Sequence, residues 1–306
     1  MEDLKNILLN IEGLEKFQRV AVTHPIPWFI GIDAQGRWSL FCITSHEPEE
    51  LKNSKMMSVF VGQRRDGKYG ITFSLSNNDY QDLFITFCMD VIRFSSDCVD
   101  ADRAADCVSG RYLKWMEAFK KNNGNLLTFE EIKGLVGELS FMKSELFPLY
   151  GVEKSIDCWG GTDYNDQDFH CDSTWYEVKS VVSGASSVKI SSVEQLDTNT
   201  EGHLVVMYLD KTSQGDGGRV TLNDLYQEIV ESISSSVQKE RFKNRLLSYG
   251  YYFNATYDQF GFRLNGMDMY KVNNDFPCLR KKKVPISVQN IKYELSLPGI
   301  AAFKER

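Results

Sequence analysis

Residues Asp168-Phe-His-Cys-Asp-Ser-Thr-Trp-Tyr-Glu-Val-Lys-Ser180 decide how this chain can be read. Asp168 is set against the apolar Phe169, and a short polar turn spans Asp172 to Thr174. An extended run follows, in which Glu177 and Lys179 stand two apart. Residues two apart in a strand project from the same face, so this carboxylate and this ammonium point the same way. The spacing predicts paired strands over Phe169 to Cys171 and Trp175 to Val182.

Outward from that stretch, Thr128-Phe-Glu-Glu131 is a capping box that opens a helix through Ile132, Leu135, Val136, Leu139, Met142 and Leu146. Glu138 falls about 100° from the centre of its apolar stripe, at the border, where a carboxylate can be held beside a sheet. Ser155 to Trp159 reads as a short strand, and Gly160-Gly161 to Asn165 as a turn. Ser191 or Ser192 can cap a helix containing Val193, Gln195 and Leu196, and His203 to Leu209 is a buried strand. Helix, three strands, helix and strand give mixed α/β packing.

The flanks differ in pattern. Leu4, Ile7, Leu8, Ile11, Leu14 and Phe17 predict an amphipathic helix over 3–18. Trp28 to Ile32 and Trp38 to Ile43 surround the turn 33–36, and Met57 to Val61 and Tyr69 to Leu75 surround Arg64-Arg65-Asp66-Gly67. Two helices follow, one around Leu83 to Ile92 and one over 100–121, stopped by Asn122-Asn-Gly-Asn125. After residue 212 come helices at 221–234 and 238–247. Beyond them Phe260 to Leu264, Met269 to Val272 and Ile286 to Leu297 read as extended, with the basic run Arg280 to Lys283 before Pro285. These breaks divide the chain into an N-terminal module, 1–123, a core, 124–212, and a C-terminal extension, 213–306.

Composition excludes some classes. With 42% hydrophobic and 25% charged residues in 306, the chain has material for a real core. No apolar run approaches the roughly 18–20 residues of a membrane span, and the acidic, amphipathic start lacks the form of a secretory signal. Seven cysteines with no C-x-x-C pair argue against a zinc site or a disulfide framework, and for a reducing, cytoplasmic compartment. The net charge of −7 is not that of a nonspecific nucleic-acid coat, but contacts to phosphate need only a local basic surface. No Ser/His/Asp or Cys/His constellation and no Gly-x-x-x-x-Gly-Lys-Ser/Thr loop occurs, so any ATP-driven step belongs to another protein.

What remains is metal-assisted phosphodiester chemistry. Mg2+ takes hard oxygen ligands and keeps several waters, so Asp168, Glu177 and the carbonyl of Val178 suffice to hold it. Lys179 would orient or deprotonate the attacking water, or stabilise the scissile phosphate. Asp157, Asp163, Asp166 and Asp172 are rival acids; Asp168 is preferred because it opens the strand before Glu-x-Lys. Alone, each of these residues has an ordinary structural explanation, and their joint order carries the reading.

At this point the residues resemble a known family. Asp168…Glu177-x-Lys179, behind a helix bearing Gly137-Glu138, resembles the PD-(D/E)xK nuclease superfamily. Gly134-Leu-Val-Gly-Glu-Leu139, Trp159-Gly-Gly161, Asp168-Phe169 and Glu177-Val-Lys-Ser180 are similar to a group of PD-(D/E)xK proteins encoded near bacterial restriction and phage-defence genes. Gln167 stands where the motif has proline. The resemblance implies a restriction-endonuclease-like αβββαβ core, a mixed sheet flanked by helices, with an N-terminal α+β module and a C-terminal α/β extension. It implies Asp168 and Glu177 as metal ligands, Lys179 as the catalytic lysine, Glu138 as an auxiliary acid and Gln195 near the metal or DNA backbone. It also implies a DNA endonuclease using Mg2+, with Mn2+ substituting. A methyltransferase or an ATP-dependent helicase or translocase would be its partner, and a homodimer its working form. The alternative is a noncatalytic DNA-binding or scaffolding subunit that keeps the fold.

Overall fold

The computed structural model describes residues 4–21, 23–49, 51–96, 101–122, 126–160 and 166–306. Two compact units emerge: residues 1–126 with 246–253, and 127–245 with 254–306.

The first unit opens with α1 (Leu4–Asn10), then β1 (Lys16–Val20), β2 (Trp28–Ile32), β3 (Trp38–Thr44), β4 (Met57–Gln63) and β5 (Tyr69–Leu75). The expected helix over 3–18 therefore ends at Asn10. Gly13 and Glu15 take left-handed backbone, with φ of 99° and 56°, which a helix cannot continue through. Phe17 instead pairs with Gly31. The five strands form an antiparallel sheet in the order β1-β2-β3-β5-β4. Two helices, α2 (Gln81–Ser96) and α3 (Ala101–Asn122), complete this part of the unit. Asp90 clamps them together, taking the Arg111 guanidinium at 2.5 and 2.7 Å and the Trp115 indole N–H at 2.6 Å. Trp28, Phe73, Phe84, Phe87, Tyr112 and Trp115 fill the core, joined by Leu247 from the later segment. The ring of Tyr252, from the same segment, lies 5.7 Å from that of Trp115.

The second unit begins at the capping box, where Thr128 and Glu131 bond reciprocally. It runs through α4 (Phe129–Phe141), a wider turn at Met142–Leu146, α5 (Phe147–Tyr150) and α6 (Val152–Cys158). The strand expected at Ser155 to Trp159 is thus a helix. Gly151, at φ 82°, restarts it, and both the amide and the hydroxyl of Ser155 bond the Gly151 carbonyl, at 3.1 and 2.7 Å. A five-residue run is too short for periodicity to separate helix from strand.

Then come β6 (Phe169–Cys171), β7 (Thr174–Val181), β8 (Ser187–Ile190), β9 (Gly202–Thr212), β10 (Arg219–Val220), α7 (Leu222–Ser232), α8 (Ser236–Ser248), β11 (Gly261–Val272) and β12 (Tyr293–Ser296). The main sheet has the order β10-β11-β9-β7-β6, with β7 and β9 parallel, while β8 pairs with β12 separately. Only 293–296 of the expected extended run 286–297 is strand.

The expected helix around Gln195 is a single turn. Leu196 and Asp197 donate to the Val193 carbonyl at 3.3 and 3.1 Å. The next carbonyls are taken from elsewhere: Glu194 and Gln195 by the Gln167 amide, Leu196 by Arg280. A helix whose carbonyls are already occupied does not propagate. The architecture is mixed α/β, with a turn standing between β8 and β9 where the αβββαβ pattern has a helix.

The cysteine expectation is also corrected. Cys158 and Cys171 are joined by a disulfide, their Cα atoms 5.1 Å apart. The bridge between Trp159 and Phe169 brings these chain ends together, which spacing in sequence does not reveal. No helix among the described residues is long and apolar enough to cross a membrane.

One histidine couples the first unit to pH. His24 accepts the Ile26 N–H through Nδ1 at 3.1 Å and donates through Nε2 to the Ile92 carbonyl at 2.9 Å, which a neutral ring satisfies. Burial lowers its pKa below the ordinary 6.5, against the opposing pull of the Ile92 and Ile26 backbone contacts. The unfolded chain therefore binds a proton first on acidification, and this contribution to stability, complete above pH 6.5, falls as pH drops through the folded value. Urea unfolding followed by tryptophan fluorescence will show that loss below pH 6.5, and His24→Asn will flatten it.

Candidate active site

β6 stops short. Its pairing with β7 runs from Cys171↔Thr174 to Phe169↔Tyr176, so from Glu177 onward that edge of β7 has no ladder partner among the described residues. Asp168, one residue before β6, takes its place. Its Oδ2 accepts the Val178 N–H at 2.7 Å, and its own carbonyl accepts the Gly160 N–H at 2.5 Å. Gly160, at φ 71°, in turn offers its carbonyl to Arg245 at 2.8 Å. Asp168 is thus fixed at both backbone and side chain. The N–H and C=O of one strand residue point the same way, so the Val178 carbonyl also faces this edge.

Glu177 is fully buried and Lys179 nearly so, with 2.6 Å between the ammonium and Glu177 Oε1. Tyr176 and Ser180 face α4, as the 5.3 Å contact of the Tyr176 and Phe141 rings and the close approach of Gly137 to Ser180 show. By alternation Glu177 and Lys179 leave the other face. Glu138, on α4, nonetheless acts on these charges. It is buried on α4, with its Oε2 taking the Trp159 indole N–H at 2.8 Å, and its charge is felt by both Glu177 and Lys179.

The electrostatics follow from burial. Desolvation pushes the Glu177 carboxyl well above its usual range. Asp168 and Glu138 push the same way, and Lys179 opposes them. Asp168 is raised by burial too, against Lys179 and the Val178 N–H. For Lys179 burial disfavours the charge, but Glu177, Asp168 and Glu138 outweigh it and hold the pKa above the usual lysine value. Like charges about 4 Å apart cost roughly 4 kcal/mol at an effective dielectric of about 20. One ammonium does not balance three carboxylates. A bound proton or cation would relieve the excess.

The donor set suits a hard cation. Glu177 Oε2 is buried without a hydrogen-bond partner among the described residues, and buried carboxylate oxygens do not ordinarily go unmatched. Among those residues no three His, Cys, Asp or Glu side chains gather at metal-holding spacing. The set that fits is Asp168, Glu177 and the Val178 carbonyl, completed by water, as Mg2+ prefers.

The rival acids lie elsewhere. Asp157 binds Arg241 and Gln238, Asp172 binds Lys154, and Asp166 is exposed; Asp163 lies outside the described residues. Gln195 is not drawn into the cluster: its side-chain oxygen takes the Ser191 N–H at 2.8 Å within its own turn. Gln167 instead links that turn to Asp168, binding the Glu194 and Gln195 carbonyls while accepting from His170 at 3.0 Å. Sequence reasoning gave no role to Gln167 or to the Trp159 indole; their positions beside Asp168 and in the Trp-Gly-Gly run were the available signals.

A family model described as "Putative PD-(D/E)XK family member" (DUF4420) matches residues 8–298. The chain belongs to this family. The PD-(D/E)XK match spans both units, and it makes a nuclease-like activity the family's expectation for this chain. No curated protein and no solved structure matches the chain.

The α4–β7 contact is testable. A Cβ at Gly137 would run into Ser180 Oγ, a hydroxyl buried without a partner among the described residues. Overpacking costs about 1–3 kcal/mol, more than the ~1 kcal/mol that alanine gains over glycine in a helix. Gly137→Ala alone will therefore lower stability in urea unfolding. Gly137→Ala with Ser180→Ala will return it to wild type or above. A double variant no more stable than the single one would refute the contact.

Proposed function

We propose that this protein is a Mg2+-dependent DNA endonuclease serving a restriction or phage-defence system. The observation that carries the reading is the buried meeting of Asp168, Glu177 and Lys179 at the unpartnered edge of β7. Family membership gives that cluster a nuclease context. Bound there, Mg2+ or Mn2+ supplies an activated water and neutralises charge at the scissile phosphate.

The chain's own residues do the rest. Asp168 and Glu177 would hold the ion, with the Val178 carbonyl beside them. Lys179 donates to a non-bridging phosphate oxygen as negative charge grows there. Glu138, oriented by the Trp159 N–H, accepts a hydrogen bond from the attacking water and aligns it. The water oxygen joins phosphorus, the bond to the departing strand breaks, and that strand leaves with the proton.

Phosphate contacts away from the cluster come from a groove of about 740 Å³ between the turn at Ser191 to Glu194 and the loop from Lys281 to Lys292. Arg280 is spent on the Leu196 and Asn273 carbonyls and Lys281 on Glu194. Lys282, Lys283 and Lys292 are exposed and make no ion pair among the described residues. A methyltransferase or an ATP-dependent helicase or translocase would choose the target and move along it, and a homodimer would cut both strands.

Purified protein will nick or cut plasmid DNA with Mg2+ or Mn2+, and Asp168→Asn, Glu177→Gln and Lys179→Ala will each reduce the rate at least about a hundredfold, as lost electrostatic catalysis does. Full activity in these variants would exclude the site. DNA binding without cleavage, alone and with partner proteins present, would select the noncatalytic subunit instead. Lys282→Glu with Lys283→Glu will weaken DNA binding uniformly across sequences. It will also flatten the slope of log affinity against log salt by about one for each phosphate the variant no longer neutralises.

A further inference from the structure

The outer face of the first unit's sheet breaks the rule its inner face obeys. An antiparallel sheet with one covered side ordinarily turns apolar residues inward and polar ones outward. Trp28, Ile30, Leu40, Cys42, Ile71 and Phe73 are buried, as that rule requires. On the other face the register sets Arg19 opposite Phe29, Phe29 opposite Phe41, Phe41 opposite Thr72, and Thr72 opposite Phe60. One row thus crosses all five strands, with a cation at one end and three phenylalanines along it.

The rings form an accessible surface. Phe60 is 70% exposed and Phe17, adjoining the row, 39% exposed, while Phe29 and Phe41 are half-buried. The Phe41 centroid lies 5.7 Å from that of Phe29 and 6.2 Å from that of Phe17. Two of the rings settle onto backbone that has no side chain. A Cβ at Gly70 would come within 2.7 Å of the Phe41 ring, and one at Gly62 within 2.9 Å of Phe60. Contiguous exposed aromatic surface of this kind marks a binding site.

Charge selects the occupant. In a chain of net charge −7, the five strands hold Lys16 and Arg19 and not one Asp or Glu. Arg64, Arg65 and Lys68 lie in the hairpin joining β4 to β5, where Asp66 pairs with Arg64. Aromatic faces with cations and no carboxylates suit a ligand that is itself a stack of π-systems on an anionic backbone. Every base offers a π-face whatever its sequence, and stacking on a protein aromatic contributes about 1–3 kcal/mol per base. Duplex bases keep those faces hidden in the helix, whereas sheet-borne aromatics take up unpaired ones.

We infer that this face is a stacking platform for unpaired bases of single-stranded nucleic acid. The inference rests on the nuclease reading only for the choice of DNA as the polymer. It gives the N-terminal module a role of its own, the capture of displaced or frayed strands.

The test is fluorescence anisotropy of the full chain with a labelled oligothymidylate, an abasic oligonucleotide of equal length, and a duplex, all in EDTA so that cleavage plays no part. The oligothymidylate will bind more tightly than the abasic strand of equal charge and than the duplex. Phe60→Ala, at an exposed position, will weaken it about 5- to 150-fold, and Phe29→Leu, which keeps apolar bulk but removes the ring, will also weaken it. Equal affinity for the abasic strand, or unchanged affinity in both variants, overturns the inference. So does a dimer, seen by sedimentation, that Phe60→Ala dissociates without changing oligonucleotide binding, since the face would then belong to a second copy. Base-dependent binding by a protein that never cleaves leaves the platform standing and removes only the nuclease reading.

Discussion

A missing stretch of ladder governs the second unit. Because β6 pairs with β7 only as far as Tyr176, the Val178 N–H lacks a strand partner and takes the Asp168 carboxylate instead. That hydrogen bond holds an acid against the strand that carries Glu177 and Lys179. Had β6 run two residues further, its backbone would occupy the edge that the Asp168 carboxylate now holds.

Holding the cluster together is costly, and the surroundings are built to bear that cost. Burying carboxylates beside one another is unfavourable unless each is tied down or compensated. Asp168 is tied by Gly160 and Val178, Glu138 by Trp159 and Glu177 by Lys179. Gly137 lets α4 close on β7, so that Glu138 sits within electrostatic reach. The disulfide between Cys158 and Cys171 closes the ring of chain that carries both Gly160 and Asp168. These supports are neutral or cationic groups arranged around excess negative charge, an arrangement suited to a cation.

Much of this was legible in the sequence, for identifiable reasons. The capping box at Thr128, the hairpin turns at 33–36 and 64–67, and the Glu-x-Lys strand are local signals, and local hydrogen bonds or alternation produced them. Signals that depend on distant partners failed. Gln195 lies in a turn because Gln167 and Arg280 occupy the neighbouring carbonyls. Ser155 to Cys158 is helical because Gly151 restarts the helix at Val152, three residues before Ser155. The disulfide needed the Trp159–Phe169 bridge to be visible. The aromatic row emerged only once register aligned Phe29, Phe41 and Phe60 and set Phe17 beside them.

The return of residues 246–253 to the first unit has a consequence for how the chain is made. Leu247 and Tyr252 belong to a core whose other members all precede residue 120. During synthesis that core stays open while the next hundred-odd residues emerge, so the second unit's central strands are present before the first unit can close. Native packing of the N-terminal sheet thereby reports that the chain has been made at least as far as its α8. A fragment cut at the apparent boundary near residue 126 would carry a hole where Leu247 belongs. The two units are distinct in contacts but sequentially interleaved, and neither is a finished object until the other's chain has passed through.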